Sequence, residues 1–264
     1  MNTWAFYALL GVGTGAMYAA FAMSVIITYR GSGVVNFAVG AMAMIPSMVF
    51  AELRRTGDLV LPFVLIPRRF SLGDPLDPVP AAAIALLVGA ILSVIIYILV
   101  IRALRGSPPV TALVATVGLT LVLQALAVKG FGNVTLRVGS ILPQQVVQLG
   151  GRPFPVDRLW LLLFVCVIAG GVMFVYRGTR FGIATRASFL NEKGAILLGL
   201  NPTRLGLYNW VFASALAGAI GIVGSSLGGV SPFNFSLFVV PALAAALAAR
   251  LKSIPVAVAV GVAI

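Results

Sequence analysis

The chain of 264 residues has no histidine, a single cysteine and six acidic residues. Without histidine it lacks the usual near-neutral general base, the usual proton relay and most zinc chemistry. One cysteine, Cys166, excludes an intrachain disulfide framework and any metal site built on several thiolates. Charge of either sign is scarce. Charged residues make up 9% of the chain against about 25% in a soluble domain, and apolar ones 61% against about 45–50%. Water could not cover such a surface. The eighteen bases, which set the net charge at +12, stand singly or in pairs between apolar runs. A nucleic-acid footprint would gather them on one face, so no nucleic-acid partner is expected. The remaining class is an integral membrane protein.

A helix needs about 20 apolar residues to cross the hydrocarbon core. Residues 1–29, 31–51, 78–101, 106–128, 159–176 and 205–249 carry no charge. The last window is interrupted by Gly228, Gly229, Ser231, Pro232 and Asn234, which is turn chemistry. The expected spans are therefore 4–28, 33–51, 81–101, 110–128, 159–176, 207–229 and 236–249, with a cut eighth from residue 254. The first apolar run is too long, and has no basic start, for a cleaved secretory signal. Segment 59–67 is short and bounded by prolines, so it is expected at the interface or as a re-entrant stretch. Loop bases set orientation. Ten lie in short segments on the side of Arg30, Arg105, Arg186 and Lys252, and eight in two long loops, 52–80 and 129–158. Density makes the first side cytoplasmic and the N-terminus extracytoplasmic.

No expected span holds an ionisable residue in its interior, which argues against ion-coupled transport and against an intramembrane hydrolase. No Gly-x-x-x-x-Gly-Lys-Ser/Thr string occurs, so the chain cannot hydrolyse ATP itself. Small residues at four-residue spacing (Gly11 and Gly15; Ala213, Ala217 and Gly221; Gly224 and Gly228) permit close helix approach, within the bundle or at a subunit interface. The run from Tyr29 to Gly40 places an amide, Asn36, inside apolar sequence. Two readings stand: an interhelical hydrogen bond, or a broken helix lining a path. In the segment 177–204, Asn191 can cap a short helix from Glu192 to Leu198, Gly199 supplies a left-handed stop, and Pro202 prevents continuation. That helix is expected to present Ala195, Ile196 and Leu198 to a protein partner, or to lie on the membrane surface.

These stretches, in this order, resemble the permease subunits of branched-chain amino acid ABC importers, of the Liv H type. The family's pattern is matched by Tyr29, Gly33, Asn36, Phe37, Ala38 and Gly40. A basic stretch, Arg102 to Pro109, follows, and the family's cytosolic coupling loop is similar to Thr179, Gly182, Arg186, Ala187, Glu192, Ala195, Leu198, Gly199 and Asn201. The resemblance covers nearly the whole chain. Val39 stands where the family commonly has His, and the turn from Ala248 to Pro255 has lost most of the family's glycines. Family members continue with further membrane sequence, so the chain reads as truncated, or as the first half of a fused permease pair.

The expected fold is all-α: a single polytopic transmembrane permease domain over 1–264 with seven to eight spans and a cytosolic coupling loop at 177–206. The resemblance implies a non-enzymatic subunit without catalytic or metal residues. It places Gly33, Asn36, Phe37 and Gly40 on the translocation path, and Arg186, Ala187, Asn191, Glu192, Ala195, Leu198 and Gly199 in the coupling loop. It implies a second permease subunit, two cytosolic ATPase subunits that use ATP and magnesium, and an extracytoplasmic substrate-binding protein, all at the bacterial inner membrane. No cofactor would be bound by this chain. The competing classes are a passive channel for small polar solutes and, more weakly, a membrane scaffold.

Overall fold

Apolar sequence in a membrane must satisfy its own backbone hydrogen bonds. In the computed structural model, which describes residues 3–61, 68–139, 141–143, 145–149 and 151–264, it does so mainly as helix. In chain order these are α1 (Thr3–Ser32), α2 (Val39–Arg55), the strands β1 (Asp58–Leu61) and β2 (Arg68–Ser71), and α3 (Pro78–Ile96), which continues as a π-helical turn, Tyr97–Ile101. Then come α4 (Pro109–Phe131), β3 (Val146–Leu149), β4 (Arg152–Pro155), α5 (Asp157–Gly178), α6 (Arg180–Leu190) and α7 (Glu192–Leu197). The chain continues as α8 (Pro202–Gly228), α9 (Asn234–Leu237), α10 (Val239–Ala248) and α11 (Ile254–Ala263).

Among the described residues five helices are long and apolar enough to cross a bilayer: α1, α3 with its π turn, α4, α5 and α8. The spans expected at 33–51 and 236–249 correspond to shorter helices, as does the cut eighth. The bundle is all-α as expected, and the only strands among the described residues lie in its loops. The long loops fold into antiparallel hairpins, β1 on β2 and β3 on β4, because short stretches rich in proline and β-branched residues cannot sustain a helix. Segment 59–67 begins in β1, and residues 62–67 lie outside the described residues.

α1, α2 and α8 form the centre. α1 packs on α8, α10, α11 and α5, and α2 packs on α8, α3 and α4. Every residue of α2 from Val39 to Leu53 is buried. Its interior proline, Pro46, would cost a soluble helix roughly 3 kcal/mol. Here the ring lies in a cradle where a Cβ on Gly89 or Gly218 would come within 3.2 or 2.9 Å of its Cγ. One turn away, Ser47 Oγ returns a hydrogen bond to Ala43 O at 2.8 Å. The four-residue stripes divide: Gly15, Gly221 and Gly224 touch neighbouring helices of the chain, whereas Gly11 and Gly228 face open space.

Two ends of the bundle follow from the loop contacts. At one, Arg30 donates to Lys252 O, and Arg105 donates to Thr203 Oγ1 at 2.8 Å and to Pro202 O at 3.2 Å. At the other, Arg158 donates to Leu10 O, Arg54 to Leu76 O at 2.7 Å, and Leu136 bridges to Val230. α2 runs past the expected end of its span to Arg55, which buries one acid, Glu52. Its carboxylate is paired with Arg55 at 3.1 Å and Arg69 at 3.8 Å.

Candidate functional site

The first break in the helical lattice is residues 33–38. Gly33, at φ +72°, ends α1 rather than opening a helix, and its N–H reaches Tyr29 O at 2.7 Å. Residues 34–36 are irregular and lead through a turn at 37–38 into α2, which is buried from its first residue. Asn36 is buried, at 1% exposure, and its side chain acts locally. Oδ1 accepts from Ala38 N–H at 2.9 Å and Nδ2 lies 3.4 Å from Met42 Sδ. It therefore shapes the start of α2, and among the described residues its bonds stay within positions 36–42. Phe37 packs against the core while its carbonyl faces α4. Gly40 lets α2 touch α9, since a Cβ there would overlap the Phe235 carbonyl and Val239.

The second break is residues 229–238, in which α9 forms a single turn between α8 and α10. Ser231 Oγ accepts from Asn234 N–H at 3.2 Å, a local turn bond of the same kind. α4 joins the two breaks through three side chains at four-residue spacing. Thr116 donates to Val35 O at 3.3 Å, Thr120 to Phe37 O at 3.3 Å, and Gln124 Nε2 to Ser236 Oγ at 2.8 Å. Sequence reasoning passed over this ladder, although its spacing is legible as one face of a helix. Beside the second break a cleft of about 220 Å³ is lined by Thr14, Met17, Asn234, Phe235 and Phe238 among others. An aromatic cluster adjoins it: Phe21 meets Phe235 edge-on at 6.1 Å, and Tyr18 meets Phe238 at 5.6 Å.

The expected coupling segment is two helices rather than a loop with a stub. α5 ends at Gly178, and Thr179 caps α6 by accepting from Gly182 N–H at 3.3 Å. A buried polar knot holds α6 in place. Asn209 of α8 accepts from the Tyr176 hydroxyl and donates to Thr185 Oγ1 at 3.1 Å and to Leu205 O at 2.7 Å. Asn191 caps α7 as expected, accepting from Gly194 N–H at 2.9 Å. At the other end Gly199, at φ +78°, leaves Leu200 N–H on Ala195 O at 3.0 Å and its own N–H on Ile196 O at 2.9 Å, a Schellman closure. Pro202 does more than stop α7, since it opens α8 behind the Asn201 cap. Glu192 pairs with Arg105 at 3.7 Å. Ala195 corrects the sequence reading. It is 2% exposed and faces inward, whereas Leu197 at 89%, Leu198 at 80% and Ile196 face out, with Leu190 close in sequence. Arg186 is exposed and Ala187 half-buried on α6.

The comparison with protein families decides the assignment. The model for the branched-chain amino acid transport system / permease component family matches residues 7–264. The chain belongs to that family. Similar to this permease is the high-affinity branched-chain amino acid transport system permease protein LivH of Escherichia coli K12. The two are 27% identical over 256 residues, covering 93% of this chain and 78% of the relative. BraD of Pseudomonas aeruginosa, of the same description, is 26% identical over the same shares. The probable branched-chain amino acid transport permease LivH of Methanocaldococcus jannaschii is 27% identical over 242 residues, 88% of this chain and 70% of the relative. No solved structure matches the chain. Family membership and the apolar helices make the permease a multi-pass membrane protein.

Proposed function

We propose that this permease is the membrane subunit of an ATP-driven importer for branched-chain or other small amino acids or amides. The observation that carries the reading is the pair of helix breaks held together by the α4 ladder. Interrupted helices that free backbone polar groups inside an apolar bundle form binding sites in transporters. The first-turn N–H groups of α2 lack intrahelical acceptors and suit a substrate carboxylate. The apolar cleft beside Phe235 suits a branched side chain, and at about 220 Å³ it is below the ~300–1,000 Å³ of drug-sized sites.

In this reading α6 and α7 receive movement from two cytosolic ATPase subunits, which bind the ATP and magnesium that this chain does not. Leu197 and Leu198 form the contact, while the Asn209 knot and the Arg105–Glu192 pair carry displacement into α8. A second permease subunit completes the pore. An extracytoplasmic binding protein delivers substrate to the pore at the hairpin end, on the outer side of the bacterial inner membrane. The test is uptake of labelled leucine, valine and small amides into proteoliposomes holding the purified assembly. Uptake against a gradient that requires internal ATP and binding protein is expected. Downhill flux through the chain alone, indifferent to ATP, would assign it instead to passive channels for small polar solutes.

A further inference from the structure

A cleft of about 290 Å³ opens at the Arg30 end of the bundle, its lining free of break and ladder residues, and four bases line it: Arg30, Arg177, Arg186 and Lys252. They come from four separate elements: the last turn of α1, the end of α5, the middle of α6 and the turn between α10 and α11. No acid lines the cleft, and among the described residues none of the four has a carboxylate partner. Arg30 is fixed by its bond to Lys252 O and by stacking 5.6 Å over the Tyr176 ring. The Tyr176 hydroxyl is already committed to Asn209. The side chains of Arg177, Arg186 and Lys252 remain exposed.

A second feature converges on the same space. α11 begins at the cleft with Ile254 and Pro255, and no side chain caps its first turn. Its unpaired N–H groups add partial positive charge where the four bases already stand. Four cations and an uncapped helix start repel one another unless an anion lies between them. The helices that wall the cleft expose Phe174 and Val256 within about one turn of it, so its surroundings suit acyl chains.

We infer that this cleft binds the phosphate of an anionic phospholipid headgroup, with the acyl chains lying along α5 and α11. The headgroup joins α1, α5, α6 and the α10–α11 turn, so lipid composition acts on the seating of α6 against the bundle.

The test is native mass spectrometry of the purified full chain titrated with phosphatidylglycerol, phosphatidylcholine or inorganic phosphate. Wild type should retain one phosphatidylglycerol in preference to phosphatidylcholine, and millimolar inorganic phosphate should not displace it. Arg177→Gln with Lys252→Gln should weaken retention about thirtyfold, the worth of two bases beside an anionic surface. Arg180→Gln, an exposed base of the same end outside the cleft, should retain the lipid as wild type does. Equal retention of the two lipids, displacement by free phosphate, or an equal loss in Arg180→Gln overturns the inference. So does a double variant that binds lipid normally but loses a co-purifying soluble subunit, because the bases would then serve a protein.

Discussion

Individual residues of the site act through identifiable hydrogen bonds or a single dihedral. Asn36 shapes the entry to α2 through a local turn, accepting from Ala38 N–H. Asn36→Leu strands that buried donor, a loss of about 1–3 kcal/mol, whereas Asn36→Ser keeps a neutral acceptor able to form a weaker turn of the same kind. Thermal unfolding in detergent should show a clear fall in Tm for the first and a smaller one for the second. Gly199 has nothing within 4 Å of a would-be Cβ, so replacing it tests backbone conformation alone. Gly199→Val should cost roughly 1–2 kcal/mol through its left-handed dihedral. It should fray α7 without disturbing insertion, while Gly199→Asn should be tolerated; protease susceptibility at 190–201 reports the difference. The roles of Asn191 and Gly199 in capping were legible because a cap and its helix are neighbours in sequence. Asn209 was not legible. Its side-chain partners Thr185 and Tyr176 lie 24 and 33 residues away, and an asparagine in an apolar run signals only that some partner exists.

At the scale of elements, α4 is tied to both helix breaks by its ladder, yet most of its remaining surface faces outward. Thr116→Val with Thr120→Val removes the hydroxyls that serve the Val35 and Phe37 carbonyls while preserving shape. Hydrogen exchange at 34–38 should accelerate and stability should fall by about 1 kcal/mol, with the helices otherwise intact. Unchanged exchange would mean that the ladder does not hold the break. α7 makes the opposite case, a helix whose outer face is exposed at Ile196 and Leu197, with Leu198 just beyond its end. Leu197→Glu with Leu198→Glu should leave Tm unchanged and, on the proposed function, abolish co-purification of the ATPase subunits. The ends of α7 were readable from Asn191 and Gly199. Its orientation was not, because six residues span too little of the helical period to show which side Ala195 takes.

Across the whole molecule, composition specified a membrane bundle, and charge-free windows located its long helices. They could not show that α2 starts within the bundle, because an irregular apolar stretch between two apolar helices leaves no mark in hydropathy. Sidedness is open to direct measurement. With Cys166 replaced, Ser71→Cys on β2 and Ser188→Cys on α6 should label from opposite faces of the membrane. Labelling of both from one face would sink the assigned orientation. The burial of α2 also bears on how the protein is made. At 17 residues it is about 25 Å long, less than the ~30 Å hydrocarbon core, and α8, which sheathes it, is synthesised some 150 residues later. During biogenesis the innermost helix must therefore wait in lipid for its covering. Nascent chains arrested after Gly178 should expose α2 to quality-control proteolysis, and those arrested after Gly228 should protect it, making synthesis of α8 the committed step of assembly.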